Sequence, residues 1–169
     1  AGNIYATTVT ITDIDLAENY QTTDSSLMAG EIVSLDLSNA KHIKRASRAD
    51  TTPTIGVIST APGVLLGKEL TNAKPVALSG RVPVKVNNEG GVIAIGDRIT
   101  LSSVSGVGTK ATTTAETIGI ALEAFNGTTG TVEVFVERRN NFLTSQFYVD
   151  SNGNVGIGTT TPAYKLQRY

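Results

Sequence analysis

The residues able to do chemistry are few, and their spacing does not assemble a reaction centre. The single histidine, His42, stands beside Ile43 and Lys44 among basic neighbours and reads as a surface residue rather than a base. Ser79 and Lys85 flank Arg81 on one candidate strand. A serine–lysine pair needs a lysine neutralised by burial, yet every lysine here sits in a polar or alternating context, and nothing nearby reads as an oxyanion hole. Asp13, Asp15 and Glu18 form the densest acidic cluster, but the calcium-loop spacing D-x-[DN]-x-[DN]-G is missing, so a solvated turn is expected. Gly63 to Gly67, followed by Lys68, has three residues between its glycines where a phosphate loop needs four. Glu69 then stands where a magnesium-binding hydroxyl belongs, and its charge would repel phosphate. Gly156-Ile157-Gly158 lacks the third glycine and the following helix of a dinucleotide fingerprint.

Composition narrows the classes further. The chain has 169 residues, a formal net charge of -1 and 40% hydrophobic residues, enough for one ordinary domain with a core plus extensions. With no cysteine, disulfides, thiolate metal sites and thiol catalysis are excluded. The near-neutral charge supplies no general field for nucleic acid or an anionic membrane. The basic run Lys41–Arg48 has no interleaved aromatic residues on which bases could stack, so it reads as a solvated strand face. No apolar run is long enough for a membrane-spanning helix. The expectation is therefore a protein that is not an enzyme, with no cofactor, no metal, no nucleic-acid partner and no membrane span.

Threonine, valine, isoleucine and glycine dominate, and β-branched side chains fit a pleated, half-buried surface. Residues 3–14 alternate, with Val9 and Ile11 opposite Thr8, Thr10 and Thr12, which predicts a strand. Asp15 to Tyr20 is expected to make a short helical turn, and residues 21–29 a loop. Val82, Val84 and Val86 alternate with Pro83 and Lys85, and Pro83 places that strand at an edge or a bulge. Val132, Val134 and Val136 mark the last core strand, and Arg138-Arg139-Asn140-Asn141 ends the pattern. The chain also repeats itself in order: Gly30-Glu-Ile-Val-Ser-Leu35 matches Gly96-Asp-Arg-Ile-Thr-Leu101, residues 43–47 resemble 109–112, and Thr54-Ile-Gly-Val-Ile58 matches Thr117-Ile-Gly-Ile-Ala121. This predicts duplication of one β unit. The fold class is all-β, a barrel- or sandwich-like core of short strands with an internal duplication. The expected organisation is an extension strand over 1–14, a core over 15–138, and a hairpin extension over 139–169.

The C-terminal stretch Phe147 to Leu166 reads as a strand, a two-residue turn at Asn152-Gly153 and a second strand. Its run Asn152-Gly-Asn-Val-Gly-Ile-Gly-Thr-Thr-Thr-Pro162 resembles a unit that punctuates phage tail fibres and bacterial fibre-like surface proteins. The core motifs Asp15–Tyr20, Gly30–Val33, Ile55–Thr60 with Pro62-Gly63, and Val76–Lys85 are similar to a β-rich domain of phage appendages, one related to self-cleaving, intramolecular-chaperone modules. The resemblance implies an extracellular, cell-surface or virion fibre part that assembles with copies of itself, as a filament or a trimer.

The expected function is thus a structural subunit of a fibre or filament, built by β-strand addition through its terminal segments. Val9, Ile11, Phe147, Val149, Asn152, Gly153, Val155 and Ile157 are the expected assembly residues. The alternative is a self-processing or chaperone module of a tail fibre. No residue points to a host-surface ligand.

Overall fold

The computed structural model describes residues 14–50, 52–67, 70–113, 115–141, 147–157, 161–162 and 165, and none of these is helical. Twelve strands are formed among them. In chain order they are β1 (Asp15–Thr22), β2 (Ile32–Leu35), β3 (His42–Arg45), β4 (Thr54–Ile58), β5 (Val64–Leu66), β6 (Ala73–Asn87), β7 (Arg98–Leu101), β8 (Gly108–Lys110), β9 (Ala115–Ala121), β10 (Thr129–Asn141), β11 (Phe147–Val149) and β12 (Val155–Ile157). The first ten make one mixed sheet, and β11 and β12 make a second sheet of two strands. The all-β expectation holds. The core is neither two facing sheets nor a regular barrel, but one ten-stranded sheet with two extra pairings, β6 to β1 and β6 to β10.

Those extra pairings close the sheet twice. In the first half, β1 runs parallel to β3, β3 pairs β2, β2 pairs β4, β4 pairs the first part of β6, and β6 returns to β1. In the second half, the last part of β6 runs parallel to β8, β8 pairs β7, β7 pairs β9, β9 pairs β10, and β10 returns to β6. The fifteen-residue strand β6 therefore serves both halves. It turns between them at Gly80, whose φ is 108°. A Cβ there would lie 2.6 Å from Asp15 Cα, so only glycine fits.

The sequence duplication is a structural one. Gly30 N donates to Ile58 O at 2.9 Å, and its counterpart Gly96 N donates to Ala121 O at 2.8 Å. Ile58 N donates to Glu31 O, and Ala121 N to Asp97 O, each at 2.9 Å. The strand glycines Gly56 and Gly119 are also counterparts. A Cβ on the first would strike the Ala77 carbonyl oxygen, and one on the second the Phe135 carbonyl oxygen. Each marks a close crossing of one strand over the next.

Side-chain burial follows strand alternation. Val33, Ile43, Ile58 and Val76 fill the first half with Leu27. Val82, Val84, Val86, Ile99, Val132, Val134 and Val136 fill the second. The second core also takes in Ile32, Ala46, Val57 and Ala77 from the outer face of the first half, each 0% exposed. Burying each side chain larger than alanine on that face contributes about 1.5–3 kcal/mol against leaving it in water.

Two local expectations are corrected. Asp15 to Tyr20 is strand, not a helical turn, because β1 is flanked by β6 on one side and by β3 and β5 on the other. Six residues cannot hold a helix against such a ladder. Pro83 lies at neither an edge nor a bulge of the β6–β10 ladder but in the interior strand β6, opposite Glu133 of β10. Glu133 gives its carbonyl to Leu122 N and its N–H to Glu123 Oε1, both at 2.8 Å. Its backbone groups therefore point away from β6, and the proline costs no ladder bond.

Candidate functional site

The C-terminal hairpin is positioned by its own ladder, with Phe147 opposite Ile157, Tyr148 opposite Gly156 and Val149 opposite Val155. Its turn differs from the two-residue form expected. Asp150 N donates to Asn154 O, and Gly153 N to Asp150 O, both at 3.0 Å. This leaves a three-residue loop, Ser151-Asn152-Gly153. Within it Gly153 alone has positive φ, at 78°. That is a type I turn closed by a left-handed glycine, and it shifts the pairing by one residue, so that Val149 faces Val155 where the tighter turn would set it opposite Gly156.

The reason for the longer loop is Asp150. Its Oδ1 accepts from Asn152 N at 2.9 Å and from Asn154 N at 2.8 Å, while Oδ2 accepts from Asn154 Nδ2 at 2.9 Å. These donors, the Asn154 amide first, hold the Asp150 carboxyl below the usual carboxylate range. Asp150 was not among the residues expected from sequence to matter. An acid two residues before Asn-Gly is the signal that would have found it.

Of the expected assembly residues, the hairpin brings Val149, Val155, Asn152 and Gly153 together. Val149 is 54% exposed, Val155 half-buried, and the two turn residues exposed. Phe147 and Ile157 are paired through their backbones. Val9 and Ile11 lie outside the described residues. Among the described strands, β11 and β12 pair only with each other, so the hairpin adds no strand to the large sheet.

The residues weighed for catalysis are dispersed. Lys85 Nζ lies 3.1 Å from Glu31 Oε1, an ion pair that a serine–lysine mechanism would have to break. Ser79 lies in the other half of β6, opposite Leu16. His42, at the start of β3, has Nδ1 3.0 Å from Ala40 O of the preceding turn. The basic run is occupied with acids: Lys44 with Asp50, Arg45 with Asp24 and Glu31, Arg48 with Glu89. Among the described residues, no group of three or more histidines and acids is placed to hold a metal ion. Asp15 is buried and takes Gly63 N at 3.1 Å.

Sequence reasoning missed the most buried charge cluster. Glu31, 6% exposed, accepts from Arg45 Nε at 3.1 Å and Nη2 at 3.0 Å, from Lys85 Nζ, and from Met28 N at 3.1 Å. Burial pushes the Glu31 carboxyl up, but the Met28 amide, Lys85 and Arg45 outweigh it and hold the group below its ordinary value. The cluster ties β2, β3 and β6 together where the halves meet. Its counterpart is plainer: Asp97 Oδ2 takes Ala94 N at 2.7 Å and Lys110 Nζ at 2.8 Å.

A cleft lies beside β1, lined by Asp15, Ser59, Arg81 and Glu133 among others. Asp15 Oδ2 and Ser59 Oγ are buried in its wall and have no partner among the described residues.

No family model matches this sequence, and no curated protein does. Among solved structures, the chain is similar to the pre-mature gene product 12 of bacteriophage phi29. The identity is 17% and the TM-score 0.56, over 80% of this chain and 23% of that one. It is also similar to a C-terminal fragment of the same gene product, with 17% identity and a TM-score of 0.51, over 73% of this chain and 100% of the fragment. The chain therefore spans about a quarter of the pre-mature protein's length. At this identity the likeness is one of fold: the doubled sheet is an architecture that a phage protein also uses. Among the described residues, no helix is long and apolar enough to cross a membrane.

Proposed function

We propose that this chain is a structural subunit of an extracellular or virion fibre or filament, joined to copies of itself by β-strand addition through its terminal segments. The observation that carries this reading is the separation of β11 and β12 from the ten-stranded sheet. A two-stranded hairpin is marginal alone and has an outer edge on each strand. A neighbour's sheet supplies the missing ladder, and Val149, 54% exposed, supplies an apolar side chain to fix register. The phage origin of the structural neighbours supports a virion or surface location.

Removing residues 142–169, or 1–14, should leave the folded core and abolish the higher assembly, read by light scattering and by far-UV circular dichroism. Truncated chains that keep the full-length oligomer's mass would sink the reading.

A second reading, a self-processing module, is favoured by two observations: one neighbour is a pre-mature form, and Asp15 and Ser59 bring an unpartnered carboxylate oxygen and hydroxyl to one cleft. It requires a discrete new terminus on incubation. An intact mass that stays constant would remove it.

A further inference from the structure

The internal duplication gives the molecule one fully buried face and, among the described residues, a half-exposed copy of it. On the first half, the buried face is Ile32, Ala46, Val57 and Ala77, each 0% exposed. The second half seats its β7–β8 turn there: Gly106 N donates to Ala46 O at 2.8 Å, and Ile32 N donates to Gly106 O at 2.9 Å. Beside it, Lys85 N donates to Gly30 O at 2.8 Å.

Register fixes the counterparts on the second half. Ile32 faces Val57 in β2–β4, and Arg98 faces Ile120 in β7–β9. Val57 faces Ala77, and Ile120 stands between Phe135 and Arg98. Ala46 N donates to Ile32 O at 3.0 Å, and Ala111 N to Arg98 O at 2.8 Å. The matching face is thus Arg98, Ala111, Ile120 and Phe135. Phe135 is 39% exposed, the other three are half-buried, and Gly96 is exposed where Gly30 is buried.

The matching turn is also open. Asp36 N donates to His42 O as Ser102 N donates to Val107 O, each at 2.9 Å, which makes Lys41 the counterpart of Gly106. Both have left-handed φ, 65° and 76°. Gly106 is buried in the internal contact, whereas Lys41 is exposed and Leu37 in the same turn is 78% exposed.

We propose that the Arg98–Ala111–Ile120–Phe135 face takes the Asp36–Lys41 turn of a second copy, repeating between molecules the contact that joins the two halves within one. The argument for this occupant is continuity with the internal interface. Charge is compatible with it: Arg98 replaces Ile32, and the incoming turn carries Asp36 where the internal turn has Ser102. Arginine and carboxylate make a strong pair once desolvated. The contact is heterologous, so it propagates head to tail. It goes beyond strand addition and uses neither terminus.

The test uses full-length chains, which contain no native cysteine. Lys41→Cys and Ala111→Cys proteins are mixed and oxidised, and the disulfide dimers resolved by mass. The mixed dimer should exceed each like-with-like dimer at least about tenfold, because docking raises the local thiol concentration far above the bulk. Leu37→Cys mixed with Ala111→Cys repeats the measurement with the native residue kept at the left-handed position. A statistical distribution of mixed and like dimers in both pairs would overturn the proposal. Since the termini are untouched in every protein, failure here does not depend on whether strand addition occurs.

Discussion

The two halves share a backbone scheme and differ in what surrounds them. Gly30 and Gly96, and Glu31 and Asp97, occupy equivalent places with equivalent main-chain bonds, Gly56 and Gly119 mark equivalent close crossings, and Lys41 and Gly106 share a left-handed φ. Their side chains diverge where the neighbour differs. The first half backs onto the second, so its outer face is Ile32, Ala46, Val57 and Ala77, and its acid is clamped by two cations. Among the described residues no third unit backs the second half, and its equivalents include Arg98, a half-exposed Phe135 and a single Asp97–Lys110 pair. Backbone geometry is thus conserved by hydrogen-bond requirements that every copy must meet. Side chains answer to burial, which is a property of position in the whole molecule.

The largest expected effects test where the halves are the same. Gly56→Ala and Gly119→Ala each drive a methyl group into a backbone carbonyl, so each should cost about 3 kcal/mol or prevent folding, measured by urea unfolding. A large difference between the two would break the equivalence. The next effect tests where they differ. Glu31→Gln strands Lys85 and leaves Arg45 with Asp24 as its remaining acid in a partly buried site, and should cost about 2 kcal/mol. Asp97→Asn removes one more exposed pair and should cost about 1 kcal/mol or less.

Acid sharpens the same contrast. The Glu31 carboxyl sits below its ordinary 4.5 in the folded protein, so folding binds fewer protons than unfolding there. Its contribution is fully present above about 4.5 and is lost as pH falls through the depressed folded value. Thermal midpoints measured from pH 6 to pH 3 should fall, and the fall should be shallower in Glu31→Gln. The smallest effects concern the left-handed pair. Lys41→Gly should stabilise by about 1 kcal/mol at most, by relieving strained φ. Gly106→Ala should destabilise, since a Cβ there would lie 2.9 Å from Arg45 Cγ on a backbone already left-handed.

Much of the fold was legible where alternation is clean. Val82, Val84 and Val86, and Val132, Val134 and Val136, are buried as their period of two requires. The repeat was readable because its glycines and acids are backbone fixtures: turns and close crossings tolerate few substitutes. Asp15 to Tyr20 was misread because its acids and asparagine give no alternation, and only the strands on either side hold it extended. The hairpin was seen through Asn152-Gly153, but its loop length was set by the Asp150 carboxylate. Glu31 was invisible as a centre, since Arg45 and Lys85 reach it from distant positions that no local spacing records.

By itself, then, the sequence determined an all-β chain, its duplication and its terminal hairpin, because β-branched periodicity and turn residues act over a few neighbours. Only the tertiary structure decided that β6 is shared, that the sheet closes twice, and which copy of a repeated face is covered. Those depend on strand pairing between residues far apart in the chain, where hydrogen bonds and burial are settled together rather than locally.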